Sequence, residues 1–297
     1  MIKLTKEDSL VNKKNKINSR VYVILFRYRQ TALFDGGCGC TEVYIKGHPE
    51  PIAFTIFGID IRWYGILIAF GMLTAVLISC KRAPRHGITD DDVLDIALWM
   101  LPIGVIGARV YYVLFNLDYY KTLSSMLDIR SGGLAIHGGL IFGALTVYAV
   151  CRHKGIHTLN VLDLFIPSVA LAQAIGRWGN FFNGEAHGGP TDLPWGILVD
   201  GVKVHPTFLY ESIWCLILFI ALSYFDRHKR TANGQTFALY LIFYSLERFF
   251  VEALRTDSLM IGPFKQAQVI SLCAMAAGII LYFYSTKHLP LGEERTK

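Results

Sequence analysis

Seven runs of apolar residues, each close to the length that crosses a bilayer, constrain this chain more than any other feature. A helix rises about 1.5 Å per residue, so about 20 apolar residues span the hydrocarbon core. The runs cover roughly 62–80, 93–115, 134–151, 160–176, 206–225, 234–254 and 266–285 of the 297 residues. The expected architecture is therefore an all-α polytopic membrane protein with seven transmembrane helices. Composition agrees. Hydrophobic residues make up 53% of the chain and charged residues only 18%, against about 25% charged in an ordinary soluble domain. Glycines within the runs, such as Gly104 and Gly107 or Gly138, Gly139 and Gly143, suit close helix packing.

The net charge is +6, but it does not point to nucleic acid as a partner. The basic residues lie in short clusters between apolar runs, which is a topology signal. Eleven follow the odd-numbered runs: Lys81, Arg82, Arg85, Arg152, Lys154, Arg227, Lys229, Arg230, Lys287, Arg295 and Lys297. Six follow the even-numbered runs: Lys121, Arg130, Arg177, Lys203, Arg255 and Lys265. The odd runs are thus expected to enter from outside, with the N-terminus outside and the C-terminus cytoplasmic. The connection 177–205 would face outward. It is rich in Gly, Asn and Pro and holds Trp178, Phe181, Phe182 and Trp195, so a small outward-facing head is expected between the fourth and fifth runs.

Residues 1–47 do not fit this plan. The first 50 residues carry nine Lys or Arg against five acidic residues, and their one apolar stretch, Val21 to Phe26, is too short to span. They are expected to be a disordered basic extension or an untranslated segment, with translation starting near residue 48. The membrane domain would then cover 48–285, followed by a cytoplasmic tail at 286–297. Cys38 and Cys40 form a C-x-C without the second pair that a zinc site needs, and the other cysteines are scattered. No metal and no cofactor is expected.

Ionisable side chains inside apolar runs cost roughly 2.5–3.5 kcal/mol each on insertion scales, so they mark function by default. Here Arg62, Arg109, His137, Arg177, His205, Arg248, Glu252 and Arg255 all fall toward the outer ends of their runs. Such convergence implies one polar site open to that side. Tyr244, Arg248, Glu252 and Arg255 are spaced by four, four and three residues, which places them on one helix face and leaves Glu247 off it. An Arg–Glu–Arg ladder of this kind either pins helices together or holds a phosphate, for which the planar arginine fork is well shaped. His137 stands between Ile136 and two glycines. It is either a satisfied core histidine or a base that titrates near neutral pH.

The run Gly176-Arg177-Trp178-Gly179-Asn180-Phe181-Phe182-Asn183-Gly184-Glu185, continuing to Gly188, closely resembles the signature of the prolipoprotein diacylglyceryl transferases, roughly G-R-x-G-N-F-x-N-x-E-x-x-G. Further pieces follow in the family's order: Arg62-Trp63-Tyr64-Gly65, Gly107-Ala108-Arg109, His137-Gly138-Gly139-Leu140, His205-Pro206 before Tyr210-Glu211, and Arg248 with Glu252 and Arg255. The resemblance covers about 48–285. It departs at residues 1–47, which the family pattern lacks, and at Ala253-Leu254, where an aromatic residue is common.

The resemblance implies a reaction in which the diacylglyceryl group of phosphatidylglycerol passes to the lipobox cysteine thiol of a prolipoprotein signal peptide. A thioether forms and glycerol phosphate leaves. It implies residence in the bacterial cytoplasmic membrane, among membrane lipid. It also implies that Arg177 and Arg248 serve the phosphate and that His137 is a candidate base. Tyr64, Arg109, Asn180, Asn183, Glu185, Gly188, Tyr244, Glu252 and Arg255 would contact substrate. The competing class is a secondary transporter for an anionic solute. That class favours inverted repeats and a midplane site, and the sequence has neither a visible repeat nor central charges.

Overall fold

A computed structural model describes residues 50–291 of the chain, apart from 121, 129–131, 200 and 257. The expectations for residues 1–47, for Cys38 and Cys40, and for Lys121, Arg130, Arg295 and Lys297 lie outside the described residues. The first element is a hairpin of β1 (Ile52–Ile56) and β2 (Ile59–Arg62), closed by Phe57 and Gly58 at φ 51° and 79°. Among the described residues, seven helices of 19 to 26 residues follow, together with one short helix. They are α1 (Trp63–Arg82), α2 (Asp90–Leu114), the short α3 (Leu123–Leu127), α4 (Ile136–Lys154), α5 (Thr158–Asn183), α6 (Thr207–His228), α7 (Gln235–Leu254) and α8 (Gln266–His288). Two further hairpins interrupt them: β3 (Ile197–Val199) with β4 (Val202–Val204), and β5 (Met260–Ile261) with β6 (Phe264–Lys265).

Each expected run thus falls on a helix. The helices from α1, α2, α5, α6 and α8 are long and apolar enough to cross a membrane. Helices α4 and α7 are of similar length, but α4 ends in Arg152, His153 and Lys154 and α7 carries Glu247, Arg248 and Glu252. Large apolar side chains such as Phe70, Leu73, Leu98, Ile220, Ile280 and Phe283 point outward. A surface of that kind is stable against lipid and not against water. The chain is a multi-pass, mainly helical membrane protein.

Local signals explain the helix ends. Thr89 and Asp92 form a reciprocal capping box at the start of α2, where Asp90, Asp91 and Asp92 also face the positive end of the helix dipole. Helix α5 is the most enclosed. Val161, Leu164 and Phe165 pack with Ile96, Val147 and Cys151, and Ile166 and Ala170 pack with Leu218, Leu222 and Tyr240. Because α5 is covered on several sides, its apolar residues do not need to keep to one stripe.

One boundary differs from expectation. The fourth run was expected to end at 176 with a connection over 177–205, but α5 continues to Asn183. Gly176 and Gly179 do not act as turn residues there. They are buried where Ile68 and Tyr64 of α1 approach, and a Cβ on Gly179 would lie 2.6 Å from the Tyr64 ring. The helix ends at Gly184, at φ 67°, whose N–H is donated to the carbonyl of Phe181. The connection is therefore shorter and holds the β3–β4 hairpin. At the other terminus, α8 runs to His288, and Leu291 donates its backbone N–H to Thr231. The first residues expected as tail are thus packed on the α6–α7 connection.

Since successive long helices alternate in direction, the C-terminus of α1, the N-terminus of α5, the C-terminus of α6 and the N-terminus of α7 share one end of the bundle. A buried ionic group holds that end together. Asp226 accepts from Arg82 at 2.8 Å and lies 3.0 Å from His86 Nε2. Asp163 pairs with Arg230 and accepts the backbone N–H groups of Gly234 and Phe237 at 2.6 and 2.8 Å. Those two acceptances satisfy donors at the start of α7 that no intrahelical carbonyl can reach.

Candidate active site

The opposite end of the bundle holds a second ionic group, assembled from three helices. Arg177 comes from the last two turns of α5, Glu211 from the first turns of α6, and Tyr244, Glu247, Arg248 and Glu252 from α7. Glu211 is at the centre, fully buried, with one carboxylate oxygen 2.9 Å from Arg177 Nη1 and the other 2.5 Å from Arg248 Nη1. Arg248 Nη2 reaches Glu252 at 2.6 Å, and Arg177 Nη2 donates to the Tyr244 hydroxyl at 3.2 Å. The carboxylates are enclosed, but the side chains of Arg177 and Arg248 are 19% and 21% exposed. Each guanidinium therefore keeps N–H donors that can meet an anion from one side while its position is held from the other.

Packing around the group fixes the helices that carry it. Trp178 Nε1 donates to Ser212, and Ser212 donates to the carbonyl of Ala174, tying α5 to α6. Tyr64 lies over Gly179 and faces the charges of Glu185 and Arg177. Asn183 donates to Glu185 at 3.0 Å, and the Glu185 N–H is donated to the carbonyl of Asn180. Asn180 and Asn183 thus lie in the last turn of α5, beyond Arg177, with Glu185 just past its end. Gly188 is buried and crosses the end of α7 as backbone. It pairs with Arg255, and a Cβ there would lie 2.7 Å from that of His205 and 3.1 Å from the Leu254 carbonyl. The Arg255 carbonyl accepts from Lys265 Nζ at 2.8 Å.

Two residues expected at the same site lie at this end but are not bonded into the arginine group. Arg109 is 4% exposed, and its guanidinium donates to the backbone carbonyls of Ser125, Met126, Gly132 and Gly133. Its charge therefore organises the α2–α4 connection. His137, the second residue of α4, packs its ring 6.2 Å from that of Tyr111. Among the described residues no hydrogen bond joins it to Arg177 or Arg248. The Tyr244–Arg248–Glu252 face is present as expected from its spacing, but Arg255 lies beyond α7 in extended backbone.

Glu247 corrects the sequence reading, which set it off the functional face. It is three residues after Tyr244 and 7% exposed, and it faces Arg177, Glu211 and Arg248. Its neighbour Glu211 was legible only as part of the Tyr210-Glu211 pair. An acid one turn into an otherwise apolar helix was the available signal, since a charge there must have a partner.

The model of the family described as prolipoprotein diacylglyceryl transferase matches residues 51–284. A phosphatidylglycerol–prolipoprotein diacylglyceryl transferase of Clostridioides difficile is 57% identical over 239 residues, covering 80% of this chain and 96% of that protein. Proteins of the same description from Finegoldia magna and Staphylococcus epidermidis are 49% and 42% identical, covering 83% and 84% of this chain and 100% and 94% of theirs. With a match across nearly the whole described bundle, and with the signature residues gathered around Arg177, the chain belongs to the prolipoprotein diacylglyceryl transferase family.

Proposed function

We propose that the pair Arg177 and Arg248, bridged by Glu211, holds the donor phosphate in the reaction of this family. In that reaction a diacylglyceryl group leaves phosphatidylglycerol for the lipobox cysteine of a prolipoprotein. The observation that carries the reading is the geometry of Glu211, a fully buried carboxylate that fixes two partly exposed arginines. Two fixed guanidinium forks suit a phosphate diester, and they suit even better the phosphate monoester that leaves, on which charge builds as the bond breaks. Tyr64, Asn180, Asn183 and Glu185 border the same end of α5 and are the proposed contacts to the rest of the substrates. Glu252 and Tyr244 orient the arginines. Gly188 and Arg109 support the surrounding backbone.

The proposed topology places this end of the bundle at the outer face of the bacterial cytoplasmic membrane, with seven spans, the N-terminus outside and the C-terminus cytoplasmic. The bias of basic residues toward the connections at the far end supports it. The β3–β4 connection then forms the outward-facing head, and the catalytic domain is 48–285, in line with the matched region. Transfer in reconstituted vesicles tests the function. Purified protein with labelled phosphatidylglycerol and a lipobox peptide should yield a thioether-linked diacylglyceryl peptide and glycerol phosphate. Absence of that product, together with uptake of an anionic solute into the vesicles, would move the protein to the transporter class.

A further inference from the structure

The arginine group contains one charge more than its pairing explains. Arg177 and Arg248 have carboxylate partners in Glu211 and Glu252. Glu247 is a third carboxyl group in the same space, and neither of its oxygens has a hydrogen-bond partner among the described residues. Arg177 faces it from α5, Glu211 and Cys215 from α6, and Arg248 from its own helix. An ionised carboxylate with neither oxygen bonded is costly in a buried site. A third negative charge would also leave the group net negative where a phosphate must bind. The neutral acid satisfies both constraints.

We propose that Glu247 is the proton carrier of the transfer, giving its proton to the leaving phosphate oxygen and taking one from the acceptor thiol. The inference rests on the functional reading above. In the step, the sulfur–carbon bond to the glyceryl carbon forms as the carbon–oxygen bond to phosphate breaks. The bonding pair moves onto the phosphate oxygen, which receives the Glu247 proton. The thiol proton then restores the Glu247 acid. One proton passes from sulfur to phosphate, the charge of the phosphate is the same before and after, and no other reactant is needed. A fixed acid beside the breaking bond typically contributes 10²–10⁴-fold.

Glu247→Gln and Glu247→Asp separate this role from a packing role. Gln keeps size and neutrality but carries no transferable proton, whereas Asp keeps the acid and loses a methylene. With phosphatidylglycerol vesicles and a lipobox peptide, kcat for Glu247→Gln should fall about 100-fold with KM for the lipid unchanged. Glu247→Asp should be faster than Glu247→Gln. The wild-type kcat should decline on the alkaline side, and the Gln variant should lack that decline. A Gln variant with wild-type kcat and pH profile, or one faster than Asp, overturns the proposal. If the Gln variant does not fold, the single-turnover rate of the wild type in D2O decides. Slowing supports proton transfer in the step, and an unchanged rate overturns it. Wild-type transfer from phosphatidylglycerol, set against vesicles of phosphatidylcholine alone, tests the functional reading independently of the Gln and Asp order.

Discussion

At the scale of single residues, the arginines are held by their forks and not only by their charge. Arg248 uses Nη1 for Glu211 and Nη2 for Glu252, and Arg177 uses Nη1 for Glu211 and Nη2 for Tyr244. A lysine places one ammonium group where two directed donors are needed. Arg177→Lys and Arg248→Lys are therefore expected to lose at least one charge-assisted contact, about 1.5–3 kcal/mol, or roughly 10- to 150-fold in transfer rate. Rates in vesicles check this, and near-wild-type transfer by either variant would remove the phosphate from the pair. His137→Gln should behave differently. His137 sits beside Tyr111 without a bond to the arginines, so its variant should keep the wild-type pH profile of transfer. A profile that instead recovers steeply toward the thiol's own pKa would restore His137 as the base.

At the scale of elements, helix contacts built on glycine decide which positions tolerate a side chain. Helices α2 and α4 meet at Gly107 and Gly138, where a Cβ on Gly138 would run into the carbonyl oxygen of Gly107. Backbone cannot move aside as a flexible side chain does. Its neighbour Gly139 has its nearest atoms at 3.5 and 3.6 Å, which is ordinary contact. Gly138→Ala should therefore destabilise the protein by about 1–3 kcal/mol, as overpacking does, while Gly139→Ala leaves it nearly unchanged. Thermal unfolding in detergent distinguishes them, and equal midpoints for the two variants would refute the contact. The same physics governs the end of α5. Gly176 and Gly179 stand where the sequence places the end of the fourth run and the start of the connection, but they serve as landing sites for α1, and the helix runs on to Asn183 and carries Arg177 inside it.

At the scale of the whole molecule, two ionic groups lie at opposite ends of one bundle. From Asp163 to Arg177 the chain advances 14 residues of helix, or about 21 Å along α5. In the far group each arginine has a carboxylate opposite it, Arg82 with Asp226 and Arg230 with Asp163, which fits a clamp. Removing one partner of a buried pair costs about 3–5 kcal/mol because the other charge is left behind. Asp226→Asn should lower the unfolding midpoint while leaving transfer per folded molecule unchanged. A selective loss of kcat in the folded variant would give that end a catalytic role. The topology predicts that residues 226–233 are reached by membrane-impermeant reagents only from the cytoplasmic side, and the β3–β4 connection only from outside. External labelling of a cysteine placed in 226–233 would invert the assignment.

Much of this was legible in the sequence because the bilayer imposes a length and a hydropathy that a linear reading can recognise. Each of the seven apolar runs lies on a helix, the Tyr244–Arg248–Glu252 face follows from helical spacing, and the signature around Arg177 carries the family. Partnership was not legible, because it depends on which helix lies opposite. Arg109 and Arg177 look alike in sequence, yet one binds four backbone carbonyls and the other a buried glutamate. Glu211 and Glu247 are both acids set among apolar residues, and only the meeting of α5, α6 and α7 makes the first a bridge between arginines and leaves the second without a hydrogen-bond partner among the described residues. Local spacing determines which side chains share a face, whereas the cost of burying a charge is set by atoms far away in sequence.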